Sequence, residues 1–179
     1  ISGAADDTFV RLDGAERFRG ELMHRYGLHR PFIMYAGGFD SRKNIGALVR
    51  AFALLPVGLR RAHQLVIVGG APEPERAALT TLIAKVGLVD DEVVFAGYVP
   101  DEDLVKFYNL CALYVFPSLH EGFGLPALEA MSSGAIVIGS NTSSLPEVIG
   151  CTDALFDPRS DQAIAEKMVS ALTDGGFRS

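Results

Sequence analysis

Apolar residues fall along this chain in two alternating rhythms. Short unbroken apolar runs, rich in Val, Ile, Phe or Tyr, occupy positions 32–36, 65–68, 93–95, 113–116, 136–139 and 154–156. They lack polar alternation, as strands do when helices cover both faces of their sheet. Between them, segments 45–55, 74–86, 102–109, 126–133, 145–149 and 162–173 read as helices. In the first of these, Ile45, Leu48, Val49, Phe52 and Leu55 recur at helical spacing. An amphipathic segment at 14–26 predicts one more helix ahead of the first strand. Repeated strand–helix units form a parallel sheet with right-handed crossovers, which predicts an α/β doubly wound domain. Such sheets bind ligands beyond the carboxyl ends of their strands, where the strand order reverses.

Composition narrows the classes. The chain has 179 residues, of which 49% are hydrophobic and 21% charged, enough for one domain with a substantial core. A net charge of −6 argues against nucleic acid as a partner, since that needs clustered Lys and Arg. No apolar run approaches the ~20 residues of a membrane helix. The start, ISGAADDTFV, has neither the basic residues nor the apolar core of a signal peptide. The expected location is cytoplasmic. Ile1 is not Met, residues 1–13 read as an interdomain linker remnant, and the last helical pattern stops at Gly175-Gly176. These ends give the reading of an excised domain. Cys111 and Cys151 are too few for a disulfide framework or zinc site, and their apolar surroundings predict buried free thiols.

Two loops carry the candidate chemistry. Ser118-Leu119-His120-Glu121-Gly122-Phe123-Gly124-Leu125-Pro126 follows a strand and opens a helix that contains Glu129. Pro126 suits a first helical turn, where a missing N–H costs nothing. The glycines allow close backbone approach and leave N–H groups free at a helix start, a natural place for ligand oxygens. Glu121 lies in the loop and Glu129 about one turn into the helix, so the two carboxylates can reach different parts of an extended ligand. Carboxylate oxygens are the acceptors that sugar hydroxyls require. The bland alternative is a tight turn with both glutamates solvated or favouring the helix N-terminus.

The other loop is Ala36-Gly37-Gly38-Phe39-Asp40-Ser41-Arg42-Lys43-Asn44, after the first strand. Adjacent cations at a strand's carboxyl end, in an otherwise acidic chain, suit a diphosphate. In isolation they would read as a solvated charge pair.

The first segment resembles the glutamate–seven–glutamate signature of retaining glycosyltransferases of the GT-B fold, family 4, also called glycosyl transferases group 1. The resemblance extends from about Phe9 to about Thr173. It implies one half of a GT-B fold: a Rossmann-like domain at 14–179 that binds the donor, with the acceptor-binding N-terminal domain absent from this chain. It implies that Glu121 approaches the donor sugar and Glu129 the ribose hydroxyls. Backbone of Gly122, Phe123, Gly124 and Leu125 would then cradle sugar and phosphate oxygens. The second segment resembles the family's glycine turn followed by Arg-Lys-Asn or Lys-Gly, so Lys43 is the match for the diphosphate-binding lysine, next to Gly38. Many members carry an arginine directly after that glycine; here Phe39 stands there, and either Arg42 supplies that charge from a different backbone position or one phosphate contact is lost. Residues 96–100 resemble the loop whose backbone meets the base, near Val99 and Leu104.

The implied reaction moves a sugar from a nucleotide diphosphate sugar to an acceptor hydroxyl with retention. The acceptor would be a saccharide or a lipid-linked one, held by the absent domain, with the full-length protein peripheral to the inner membrane face. The Arg-Lys-Asn form leans toward mannosyl donors such as GDP-mannose. No cofactor and no metal are expected, because cations and backbone N–H groups stabilise the leaving diphosphate. Alternatives are a nucleotide-sugar epimerase of the same fold and a non-enzymatic nucleotide-binding module.

Other features read as structural. Asp101-Glu102-Asp103 spells a metal-binding pattern but follows Pro100, so Asp101 is expected as an N-cap with two dipole-favouring acids behind it. Asn141-Thr142-Ser143 matches a glycosylation sequon in a chain without a signal peptide. Glu147 is expected to be structural, and His120 to cap a strand end.

Overall fold

A computed structural model of the chain describes residues 7–89 and 91–174. Six parallel strands form one sheet in the order β3-β2-β1-β4-β5-β6. The strands are β1 Phe32–Ala36, β2 Gln64–Val68, β3 Val93–Gly97, β4 Leu113–Phe116, β5 Val137–Ser140 and β6 Leu155–Phe156. All six anticipated runs are strands: β1 and β4 match the expected bounds, and the ends of the other four shift by one or two residues at most. β1, β2, β4 and β5 are buried along their whole length, which accounts for their unbroken apolar character. The order reverses between β1 and β4, where the crossovers switch to the other face.

Eight α-helices accompany the strands among the described residues: α1 Arg19–Tyr26, α2 Ile45–Ala53, α3 Val57–Ala62, α4 Glu73–Lys85, α5 Asp101–Leu110, α6 Leu125–Ser132, α7 Leu145–Ile149 and α8 Asp161–Thr173. α2 packs against α4 and α8 on one face, while α1, α5, α6 and α7 pack in succession on the other. The sheet is thus doubly wound and Rossmann-like, as the alternation predicts. α2 buries Ile45, Leu48, Val49 and Phe52 at the spacing read from the sequence. α8 starts where the Ser160 hydroxyl accepts from the Ala163 amide at 3.0 Å.

Two helical segments differ from expectation. The segment 14–26 begins with Gly14 in the left-handed region and a 3-10 turn, Ala15–Phe18, before α1. α3 has no counterpart in the sequence pattern. None of its residues is buried, so it leaves no apolar stripe to read. Pro56 begins it and an ion pair from Arg60 to Glu92, 2.9 Å, anchors it.

Residues 1–6 of the expected linker, and the Gly175-Gly176 stop, lie outside the described residues. Of the rest of the linker, Phe9 is 4% exposed and meets the Tyr108 ring edge-on. Asn109 receives the Leu12 amide at 2.8 Å and donates to the Val10 carbonyl at 2.9 Å. This segment therefore lies docked along α5.

Candidate functional site

The loops that follow β1 and β4 leave the sheet at its reversal point and are stitched together at once. The Leu119 amide donates to the Arg42 carbonyl at 2.7 Å, and the Asn44 side-chain amide donates to the Pro117 carbonyl at 2.9 Å. Beside these bonds, the Lys43 ammonium lies 2.6 Å from Glu121 Oε2. The two side chains are only 15% and 9% exposed, so water screens this pair less than a surface one. The Ser118 hydroxyl donates to the same carboxylate oxygen at 2.9 Å. A cation and a carboxylate from the loops after two separate strands thus meet, largely buried, at the reversal point of the sheet.

The β5–α7 loop braces Glu121 from the far side. The Glu121 amide donates to Ser143 Oγ at 2.9 Å, and the Ser144 hydroxyl donates to the Glu121 carbonyl at 3.1 Å. The Thr142 hydroxyl donates to the Leu119 carbonyl at 3.2 Å. Ser143 has a positive φ of 50°, rare for a residue with a side chain. Residues 142–144, which overlap the Asn141-Thr142-Ser143 sequon, therefore hold the glutamate loop.

α6 opens at Gly124, whose φ of 67° places it in the left-handed region. A Cβ there would also meet the Leu145 side chain at 3.0 Å. Pro126 sits in the first helical turn, as expected. Among the described residues no acceptor meets the amides of Gly122, Phe123, Gly124 or Leu125. Phe123 and Leu125 are exposed above this helix start, at 58% and 41%.

Glu129, one turn into α6, accepts a hydrogen bond from the Tyr108 hydroxyl at 3.1 Å. Tyr108 is a core residue of α5 and packs edge-on against Tyr114. The Tyr114 hydroxyl in turn donates to the carbonyl of Ala36, the last residue of β1, at 2.9 Å. The Tyr35 hydroxyl donates to the Gly38 carbonyl at 2.7 Å. Burial raises the pKa of all three phenols, and nearby charges add to it: Glu129 for Tyr108, and Glu121 then Asp40 for Tyr35. Each therefore remains a neutral donor, directed at a strand end or at a site carboxylate.

The structure joins Lys43, Glu121 and the Gly122–Leu125 backbone, and it links Glu129 to them through α5 and the tyrosines. Val99 is buried and Leu104 is half-buried. Both follow β3, at the other end of the β3-β2-β1 half of the sheet. The Arg42 guanidinium folds back on Asp40, at 3.2 and 3.4 Å, and its side chain is 61% exposed. Asp40 also accepts from the Arg42 amide, so the two form a self-contained turn.

Asp101 differs from expectation. Pro100 holds the N-cap position of α5 and Asp101 is the first helical residue, without a side-chain cap. Asp103 is buried and takes hydrogen bonds from Tyr26 at 2.6 Å and Arg25 at 2.8 Å. Cys111 is half-buried, and burial pushes its thiol up to about 12, but Cys151 is exposed because the chain has left α7 there. His120 and Glu147 are exposed.

Reasoning from the sequence missed Asn44, Ser143 and Tyr108. Asn44 itself was a signal of a positive-φ residue behind Lys43, since Asn tolerates the left-handed region better than most side chains.

The family model described as glycosyl transferases group 1 matches residues 23–179. The chain belongs to this family. It is 44% identical over 178 residues to a serotype-specific mannosyltransferase, WbdA, of Escherichia coli, covering 99% of this chain and 22% of that one. It is 40% identical over 147 residues to the O-antigen chain mannosyltransferase B of the same organism, covering 82% of this chain and 38% of the relative. The chain thus spans about a fifth to two-fifths of the length of these curated relatives. Among solved structures, a sucrose-phosphate synthase of Thermosynechococcus elongatus superposes with a TM-score of 0.80 at 29% identity, over 98% of this chain and 43% of that one. The C-terminal domain of a glycosyl transferase group 1 protein from Francisella tularensis also gives 0.80, at 24% identity, and there 91% of the other chain is covered. The fold is therefore that of one half of a GT-B glycosyltransferase. No helix among the described residues is long and apolar enough to cross a membrane.

Proposed function

We propose that this domain binds a nucleotide diphosphate sugar for a mannosyltransferase that builds a polysaccharide. The observation that carries the reading is the Lys43–Glu121 pair at the reversal point of the sheet, beside the open amides at the start of α6. Lys43 supplies charge to the diphosphate, and Glu121 accepts hydrogen bonds from the sugar hydroxyls. The amides of Gly122–Leu125, with Gly38, hold phosphate and sugar oxygens, and Glu129 accepts from the ribose hydroxyls. As the glycosidic bond to the diphosphate breaks, negative charge grows on the leaving oxygen. Lys43 and the backbone donors stabilise it there, where preorganised groups act most strongly. The sugar passes to an acceptor hydroxyl with retention, and no metal takes part in this reading. Mannose as the donor sugar is supported by the two mannosyltransferase relatives. The saccharide or lipid-linked acceptor is held by a further domain across the cleft, on the cytoplasmic side of a membrane.

Calorimetric titration of the full-length protein with GDP, UDP, ADP and GDP-mannose tests this. Binding of GDP and GDP-mannose that weakens by roughly ten- to a hundredfold in Lys43→Ala supports the assignment. Equal or absent binding of all four by both proteins overturns it.

A further inference from the structure

Asn44 is one of two described residues other than glycine with a positive φ, at φ 61° and ψ 33°. It joins the 3-10 turn Ser41–Lys43 to α2. Its Nδ2 donates twice, to the Pro117 carbonyl and to the Pro158 carbonyl, each at 2.9 Å. Pro117 follows β4, Pro158 lies between β6 and α8, and both are buried. A single side-chain amide therefore uses both its hydrogens to satisfy two carbonyls that have run past the ends of their strands. It gathers the loops of β1, β4 and β6 into one body. Its sequence neighbour is Lys43, and one residue beyond Pro117 is Ser118, which holds Glu121. The two sides of the Lys43–Glu121 pair are thus fixed to each other through Asn44.

We propose that Asn44 is a positioning residue: it sets the separation between Lys43 and the Glu121 loop, and through Lys43 the affinity of the site for the diphosphate of a nucleotide donor. This rests on the donor-binding reading above. The packing of α2 on α8 has a separate tie in the Arg50–Asp161 ion pair at 2.7 Å, so loss of the Asn44 bonds loosens the loops and leaves the layer in place.

Asn44→Gly keeps the left-handed backbone and removes both donations. The test is a thermodynamic cycle of Asn44→Gly, Lys43→Ala and the double variant in the full-length protein, titrated with GDP, with thermal melting of each. Asn44→Gly is expected to weaken GDP binding at least fivefold in the native background and less than twofold in the Lys43→Ala background. Unchanged binding in Asn44→Gly, or equal weakening in both backgrounds, overturns the inference while leaving the donor reading intact. Failure of the native protein to bind GDP, or equal binding by it and Lys43→Ala, removes the donor reading and this inference with it. Asn44→Asp, of the same shape and without the donor, is run through the same cycle with the same criteria if the glycine variant does not fold.

Discussion

The Lys43 ammonium and the Glu121 carboxylate meet at 2.6 Å although 78 positions separate them in the chain. They come from the two strands that flank the sheet's reversal point, and each is largely withdrawn from water. The pair holds a cation in place before a ligand arrives, which lowers the cost of ordering it on binding.

Lys43→Ala removes that cation and leaves Glu121 with the Ser118 hydroxyl as its remaining side-chain donor. Loss of a charge-assisted hydrogen bond to the diphosphate is worth about 1.5–3 kcal/mol, so GDP affinity is expected to fall by roughly ten- to a hundredfold. Calorimetry reads the affinity. Melting temperature should fall as well, because a half-buried carboxylate loses its counter-charge.

Tyr108→Phe keeps the buried ring and deletes the hydroxyl that meets Glu129 at 3.1 Å. With the ribose contact at Glu129 less well held, GDP should bind several-fold more weakly. Binding of inorganic pyrophosphate, which has no ribose, should be unchanged. Equal weakening of both ligands would show that Tyr108 does not act on the ribose end.

Gly124→Ala tests the start of α6. The alanine must adopt a φ of 67° and place its Cβ 3.0 Å from the Leu145 side chain. The left-handed conformation alone costs roughly 1–2 kcal/mol, so chemical denaturation should show a loss of at least that size. Gly69→Ala should be worse, since its Cβ would lie 2.6 Å from the backbone oxygen of Gly37.

Asp103 gives the fold an acid-sensitive contact. Burial raises its carboxyl, but hydrogen bonds from Tyr26 and Arg25, with the charges of Arg25 and Lys106, outweigh burial and leave the pKa lowered. On the other side of the contact, burial and Asp103 push the Tyr26 phenol up to about 12. A carboxylate depressed on folding stabilises the protein above its unfolded value of about 3.9 and ceases to do so as pH falls through the folded value. Asp103→Asn is therefore expected to lower stability at pH 7 by about 1–3 kcal/mol. The difference from the native protein should shrink below about pH 4. Denaturant melts at both pH values check it.

Much of the architecture was legible in the residue pattern. The apolar runs that became β1, β2, β4 and β5 are unbroken because helices cover both of their faces. α3 was illegible because it buries nothing. The self-contained turn of Arg42 and Asp40 was in principle readable, since the two stand two residues apart and an Asp side chain readily binds the backbone just ahead of it.

By itself the sequence determined the alternation of strands and helices and the glycine turns that let loops leave the sheet, and it marked Lys43, Glu121 and Glu129 as chemistry-bearing. These are properties of local spacing and backbone preference, carried by neighbouring residues. Only the tertiary structure decided that Lys43 faces Glu121, that Ser143 and Ser144 brace the glutamate, that Tyr108 meets Glu129, and that Asn44 ties three loops together. Such partners lie 21 to 114 positions apart, and they are chosen by the strand order and the handedness of the crossovers, which no short window of sequence contains.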